Sequence, residues 1–426
     1  MNFDEKKYLP RLADEILKKY LQAFGAVSVE GAKWCGKTWT ATNASNSSVF
    51  LDDDETFERA SLNTNLILNE SKPELIDEWI KLPQIWDRVR RKCDETQKKG
   101  NYILTCSTKL NSEERKEIFH SGAGRIGKLK MYPMSLYESK DSTGQASITD
   151  MYNDNQKDQN VKVPSLLEIA YLIIRGGWPS NLNVPKDVAN LVPKGYIETI
   201  LSNDINEDKT RDKNKMTLLL GSLARNESTI VSNQTIMNDI FNYSNSNKED
   251  LIESRNTISD YIDILSRLNI LENQEAYSDN FRSSKRVGKS SKRHFVDPSL
   301  PAAILDLTPE KLLNDLNTFG FLFESLVERD LKIYIEYLGG HLFHFRDNVS
   351  GLEVDSILEF PDGEYAAVEI KLGNNKIEEA KTTLLKFKDK MTKKPKFMCI
   401  ITSNSTYVAK DPVTGIYILP ITALKP

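Results

Sequence analysis

The segment Gly31-Ala32-Lys33-Trp34-Cys35-Gly36-Lys37-Thr38-Trp39 sets two glycines with four residues between them and follows the second with a lysine and a hydroxyl. Glycines at those places permit backbone angles that turn successive N–H groups toward one centre, which is how a loop cradles phosphate oxygens. A helix starting at Lys37 adds the positive end of its dipole. Lys37 can neutralise β- and γ-phosphate charge, and the Thr38 hydroxyl can reach magnesium. The pattern predicts a P-loop that binds a nucleoside triphosphate, ATP with Mg, through residues 31–39.

Phosphate chemistry needs a carboxylate for the metal and a group to orient or deprotonate water. Asp77 and Glu78, at the end of the short apolar run Leu75-Ile76, fit those two roles. Pro73 and Glu74 interrupt the run, so the strand carrying the pair is expected to be short. A helix N-terminus, where acids are also favoured, is the plainer explanation of the pair.

A second constellation lies near the C-terminus. Glu324 falls in a helical pattern, Asp355 in an alternating strand, and Glu369 and Lys371 two apart in another strand, hence on one face. Two antiparallel strands could bring Asp355 beside Glu369, and the helix could add Glu324. Beyond them run Lys381, Lys386, Lys388, Lys390, Lys393, Lys394 and Lys396, a basic flank that suits a phosphodiester. Between Phe281 and His294 lie Arg282, Lys285, Arg286, Lys289, Lys292 and Arg293 with no acid. Six cations on one hairpin suit contacts to DNA or RNA phosphates, although a solvated loop balancing an acidic chain has the same composition.

The elements that would position these groups follow from periodicity. Residues 11–24 read as an amphipathic helix and Ala26–Glu30 as a strand running into the P-loop. Further strands are expected at Ser48–Leu51, Leu75–Ile76, Tyr102–Thr105 and Lys128–Leu136, with helices between them. Alternating strands and helices argue for a parallel sheet covered by helices. Residues 139–163 lose periodicity and read as an exposed linker. A helical stretch from Leu166 to about Leu271 is broken at Gly176-Gly177-Trp178-Pro179, a basic hairpin follows, and the last hundred residues return to strands. Boundaries are expected near 165 and 308: an ATPase core over 1–165, a helical region over 166–308 and an α/β domain over 309–426.

Several segments together resemble the prokaryotic AAA+-like P-loop ATPases that carry a C-terminal domain. They are Tyr8-Leu9-Pro10-Arg11, Ala23-Phe24-Gly25-Ala26-Val27, the P-loop with Trp34-Cys35, and Ile76-Asp77-Glu78-Trp79. The series continues with Ile103-Leu104-Thr105, His120-Ser121-Gly122-Ala123-Gly124-Arg125-Ile126 and Pro133-Met134-Ser135-Leu136-Tyr137-Glu138. The resemblance implies an α/β multidomain chain: a P-loop AAA+-like ATPase core with a parallel sheet, a helical lid and winged-helix region, and a C-terminal α/β restriction-endonuclease-like domain. It implies that Thr105 or Ser107 senses the γ-phosphate and that Arg125 acts as a sensor or as an arginine finger, the latter in a homo-oligomer. It makes the basic hairpin the wing. The C-terminal set resembles the PD-(D/E)XK nuclease core, which would give Asp355 and Glu369 magnesium, Lys371 the attacking water and Glu324 a nearby supporting role.

Composition excludes other classes. The 426 residues are 39% apolar and 28% charged, as in globular proteins, and the net charge of −4 leaves no chain-wide affinity for nucleic acid. Cys35, Cys93, Cys106 and Cys399 form no CxxC pair, so neither a disulfide framework nor a zinc site is expected. His341 and His344 are the only close histidine pair and read as structural. The charged N-terminus and short apolar runs predict no membrane partner and a cytoplasmic protein.

Overall fold

A computed structural model describes residues 8–111, 114–204, 212–243, 255–278 and 291–426. Backbone contacts divide the chain into two units, residues 1–134 with 264–270, and residues 135–263 with 271–426.

In the first unit, α1 (Leu12–Ala23) leads into β1 (Ala26–Glu30), followed by α2 (Lys37–Asn43), β2 (Ser47–Phe50), α3 (Asp54–Leu62), β3 (Glu74–Asp77), α4 (Gln84–Thr96), β4 (Tyr102–Cys106) and β5 (Ile126–Lys130). The five strands form one sheet in the order β2-β3-β4-β1-β5, and every pairing is parallel. All strand C-termini therefore share one edge, and the segments that leave it carry the polar chemistry. β4 lies between the P-loop strand and the strand ending in Asp77, so Thr105 and Cys106 come between the two. β3 is four residues long and starts directly after Pro73; Glu74 does not interrupt it but is its buried first residue. One apolar core joins Ile76, Leu104 and Cys106 to Ile85, Trp86 and Val89 of α4. Cys35, Cys93, Cys106 and Cys399 are all buried free thiols.

The second unit begins with β6 (Ala146–Ser147), α5 (Ile148–Tyr152) and β7 (Gln159–Asn160). The stretch 139–163 is thus no exposed linker, and the boundary between the two units falls at Met134, with the expected boundaries near 165 and 308 both inside the second unit. β6 pairs with the last strand and β7 with β14, both defined below. The Ser142 hydroxyl donates to the Leu424 carbonyl at 2.6 Å, and that of Ser147 to the Pro426 carbonyl at 2.8 Å. Two-residue strands and side-chain-to-backbone bonds leave no periodicity in the sequence, which is why the segment looked structureless.

Helices α6 (Leu166–Arg175), α7 (Leu191–Thr199), α8 (Lys213–Arg225), α9 (Asn233–Tyr243) and α10 (Arg255–Arg267) follow, then the hairpin β8 (Leu271–Gln274) and β9 (Lys292–Phe295). Next come α11 (Ser299–Ile304), α12 (Pro309–Asn314) and the long α13 (Leu316–Tyr337), capped by Asp315 on the Thr318 amide. The C-terminal run is β10 (His341–Arg346), β11 (Glu353–Glu359), β12 (Tyr365–Lys371), α14 (Ile377–Lys390), β13 (Phe397–Thr402), β14 (Tyr407–Lys410), β15 (Tyr417–Pro420) and β16 (Leu424–Lys425). Its sheet is ordered β10-β11-β12-β13-β15-β14-β7. β10, β11 and β12 pair antiparallel, and β12 pairs parallel with β13 after the α14 crossover. Ala380, Leu384 and Phe387 of α14 close an apolar core over Ile357, Tyr365 and Ala367.

Candidate functional sites

The P-loop leaves the C-terminal end of β1. Gly31 is required by space: a Cβ there would stand 2.2 Å from the Met131 carbonyl oxygen. Gly36 is required by conformation, with φ at 103° where α2 begins. Trp34 takes a left-handed φ of 64° and leaves half its surface exposed, while Trp39 is half-buried on α2. The Lys37 ammonium donates to the Ala32 carbonyl at 2.8 Å, which holds it across its own loop.

At the same edge, Asp77 Oδ1 accepts from the Thr38 hydroxyl at 2.9 Å and from the Thr105 hydroxyl at 2.5 Å. Burial pushes the Asp77 carboxyl above its ordinary range, and the two hydroxyl donors offset that only in part. A hard divalent cation would relieve such a carboxylate, and the Thr38 and Asp77 oxygens are a donor pair that suits magnesium. The chain then turns into a left-handed φ of 52° at Glu78, an uncommon conformation for a side chain of that size. The Glu78 amide donates to Thr105 Oγ1 at 3.2 Å, and its carboxylate accepts a short hydrogen bond from the Ser107 hydroxyl. Thr105 therefore fastens the Asp77–Glu78 turn, and Ser107 holds the Glu78 carboxylate.

Arg11 is a residue that periodicity did not single out. It is buried, and its guanidinium donates to the Cys35 carbonyl and to the Tyr132 carbonyl, both at 2.8 Å. Two donors in a fixed fork tie the P-loop backbone to the segment after β5. The motif Tyr8-Leu9-Pro10-Arg11 was visible in the sequence, but nothing local told that its arginine reached Cys35.

Arg125 is not brought to this edge. Its carbonyl accepts from the Ala26 amide at 3.1 Å, at the start of β1, and the P-loop lies a strand length further on, roughly 16 Å. The half-exposed guanidinium pairs with Asp94 at 2.8 Å. Arg125 thus stands at the far end of β1 from the P-loop of its own chain. A finger role would need a neighbouring copy.

The C-terminal set is partly assembled. Asp355 on β11 and Glu369 and Lys371 on β12 line one open cleft of about 580 Å³, together with Ser350, Lys386 and Lys390. The Lys371 ammonium lies 2.6 Å from Glu369 and 3.3 Å from Asp355, whose Oδ2 also accepts from the Ile370 amide at 2.7 Å. Burial works against the Lys371 charge, but the two carboxylates outweigh it and hold the ammonium protonated beyond its ordinary value. Burial first, and the Asp355 charge second, push Glu369 up to about 8 despite Lys371.

That shift has a sign. The folded state favours protonated Glu369, so stability present below about pH 4.5, its ordinary value, is lost as pH rises through 8. Glu369→Gln cannot ionise. Scanning calorimetry is expected to show its melting temperature rising relative to wild type by a few degrees between about pH 5 and pH 9. An equal offset at both pH values would contradict the assignment.

Glu324 departs from expectation. It does not line the cleft, and its carboxylate forms a very short ion pair with Lys292 of β9. Lys292 lies 3.2 Å from Glu328, one turn further along α13, and is almost wholly buried. Glu328 also meets His294 at 3.1 Å, and the Ser325 hydroxyl donates to Glu227 at 2.7 Å. Among the described residues no group of three or more His, Cys, Asp or Glu side chains is arranged to hold a metal ion. The expected magnesium at Asp355 and Glu369 thus meets an ammonium, Lys371, already between the two carboxylates.

The basic segments are also reapportioned. Arg282, Lys285, Arg286 and Lys289 lie outside the described residues. Lys292 faces Glu324 and is removed from any nucleic-acid surface, and Arg293 donates to the Val231 carbonyl at 3.1 Å and to Asn233 at 3.0 Å. Of the lysine-rich flank, Lys386 and Lys390 line the cleft, Lys390 paired with Asp347 at 2.6 Å, while Lys381 pairs with Asp411 and Lys393 with Glu364.

Three family models match the chain, each over less than half of it. An AAA domain matches residues 23–140. DUF8612, a domain of unknown function, matches residues 167–311, and DUF4143, another, matches residues 319–424. No curated protein matches the chain. Among solved structures, the Walker-type ATPase PABY2304 of Pyrococcus abyssi is 12% identical and covers 71% of this chain and 96% of its own, with a TM-score of 0.41. The Aeropyrum pernix ORC2 protein in its ADPNP–ADP complexes is 12% identical and covers 74% and 98%, with a TM-score of 0.38. The Aeropyrum pernix ORC1 protein in complex with DNA is 12% identical and covers 70% and 93%, with a TM-score of 0.27. The AAA-domain match and the all-parallel sheet around Gly31–Thr38 make the first unit a P-loop ATPase-like domain of the AAA type. No helix among the described residues is long and apolar enough to cross a membrane.

Proposed function

We propose that the chain binds ATP with magnesium at Gly31–Thr38 and hydrolyses it, and that the nucleotide state governs a nuclease-like, nucleic-acid-engaging C-terminal domain. The observation that carries the first part is the assembly of Lys37, Thr38, Asp77, Thr105, Glu78 and Ser107 along one sheet edge.

In this mechanism the P-loop amides and Lys37 bind the phosphates, and Lys37 exchanges the Ala32 carbonyl for phosphate oxygens. Thr38 and Asp77 would hold magnesium, which supplies charge neutralisation at the phosphates when bound. Thr105 keeps Asp77 turned toward Thr38. Glu78, steadied through Ser107, orients a water and takes its proton. Arg125 serves a neighbouring copy if the chain assembles as a homo-oligomer.

For the C-terminal domain, the helix–three strands–helix–strand order from α13 to β13 supports a restriction-endonuclease-like core, as does the placement of Asp355, Glu369 and Lys371 on adjacent strands. Three helices followed by the β8–β9 hairpin support a winged-helix region. Lys371, Lys386 and Lys390 around one cleft suit a phosphodiester backbone. A second reading, a nuclease-like module that binds without cutting, is favoured by the ammonium ions on its carboxylates. The test is magnesium-dependent cleavage of plasmid, linear and single-stranded DNA, with and without ATP, by wild type and Asp355→Ala. Cleavage lost in Asp355→Ala supports cutting. Binding of those DNAs without cleavage supports the module, and neither binding nor cleavage contradicts both.

A further inference from the structure

We infer that Lys292 is the resident counter-ion of the C-terminal carboxylates and closes Glu324 and Glu328 to a divalent metal. The inference rests on the restriction-endonuclease-like reading of this domain, in which Glu324 supports a metal held by Asp355 and Glu369.

A PD-(D/E)XK-type metal site needs ionised carboxylate oxygens free to coordinate. Here those oxygens are already balanced. Lys292 reaches in from β9, almost wholly buried, with its ammonium on Glu324 and 3.2 Å from Glu328. Lys371 sits between Asp355 and Glu369. Two strand lysines thus face four acidic side chains, and each lysine bridges a pair. A divalent cation at Glu324 would have to displace the buried Lys292 amine from the carboxyl oxygens it already holds. The donor set therefore does not fit the metal while Lys292 is in place.

Lys292 also has no alternative position in the ladder. Gln274 of β8 is its cross-strand partner, and the Asn273–Arg293, Glu272–His294 and Leu271–Phe295 pairs fix the register. A one-residue slip would turn Lys292 to the other face of the hairpin. His294, two residues on and facing the same way, meets Glu328 from its other oxygen and lies 3.4 Å from Glu227. The β9 strand presents a row of cationic or ionisable groups to a row of acids on α13 and at Glu227, which is a fitted surface and not a chance contact of one long side chain.

The test is Mn2+ binding to the nucleotide-free full-length chain, followed by electron paramagnetic resonance, with circular dichroism to confirm folding. Wild type is expected to show no Mn2+ that depends on Asp355. Lys292→Met is expected to gain one bound Mn2+ per chain, lost again when Glu324→Gln is added. Should Lys292→Met fail to fold because two buried acids lose their partner, Lys292→Met with Glu328→Gln keeps Glu324 as the freed carboxylate and is read the same way. Wild-type Mn2+ binding abolished by Asp355→Asn would overturn the inference and leave the nuclease-like reading standing. A folded Lys292 variant that gains no Mn2+ would overturn the inference and the metal-site reading together.

Discussion

Glu78→Gln is expected to slow ATP turnover by roughly 10²–10⁴-fold while nucleotide binding persists. Glu78 follows Asp77 through a left-handed turn, its amide bound to Thr105 and its carboxylate to Ser107. Gln keeps the size and still accepts the Ser107 hydroxyl, so the turn and the phosphate cradle survive. What it loses is the basic oxygen that takes a proton from water. Single-turnover hydrolysis and equilibrium nucleotide binding, measured on the same preparation, separate the two effects. Unchanged turnover would remove Glu78 from the reaction, and lost binding would show that it only supports the fold. Ser107→Ala should slow turnover less, because it loosens the carboxylate without removing it.

The second large effect concerns stability. Arg329 is buried and donates to Asp297 at 2.9 Å and to Asp330 at 2.7 and 3.0 Å. Asp297 also accepts from the Gly177 amide and from Ser299, whose hydroxyl in turn accepts from the Trp178 indole. Asp330 accepts from the Leu136 amide and from Tyr334. One guanidinium thus balances two fully buried carboxylates that pin the Gly176–Pro179 turn, α11 and α13. Removing one partner of such a cluster strands the others without solvent, at a cost of about 3–5 kcal/mol. Arg329→Met keeps an apolar stem and loses the charge together with the guanidinium hydrogen bonds. It is expected to lower the melting temperature of the second unit by roughly 10 °C. Thermal unfolding at neutral pH checks this, and a shift of only a degree or two would mean the carboxylates find other partners.

What the sequence made legible follows from how local each signal is. The P-loop is a fixed spacing on a strand–turn–helix, so Gly31, Gly36, Lys37 and Thr38 could be assigned without tertiary contacts. Asp355, Glu369 and Lys371 were legible because strand alternation sends their side chains to one side. Ser107 and Thr105 could be placed at the end of a strand, but their grip on Glu78 and Asp77 depends on β4 lying beside β3, which no local pattern states. Arg11 reaches Cys35 across 24 positions and Tyr132 across 121, beyond any periodicity. Lys292 was misread for a different reason. A run of cations looks like a solvated or nucleic-acid-facing hairpin, whereas strand alternation after the turn sends Lys292 and His294 inward. The i, i+4 spacing of Glu324 and Glu328 on α13 was the available hint, since it puts both acids on one helix face. Residues 139–163 looked featureless because two-residue strands and serine-to-carbonyl bonds carry no hydrophobic rhythm.

Equilibrium binding of ATP to wild type and to Lys37→Ala, with magnesium and with the metal chelated, tests the central claim most directly. Wild type is expected to bind one ATP per chain, more tightly with magnesium, and Lys37→Ala to lose at least about 1.4 kcal/mol of binding, a tenfold loss of affinity, while remaining folded. Equal affinity in the two proteins would contradict the account, because Gly31–Thr38 would then hold no nucleotide.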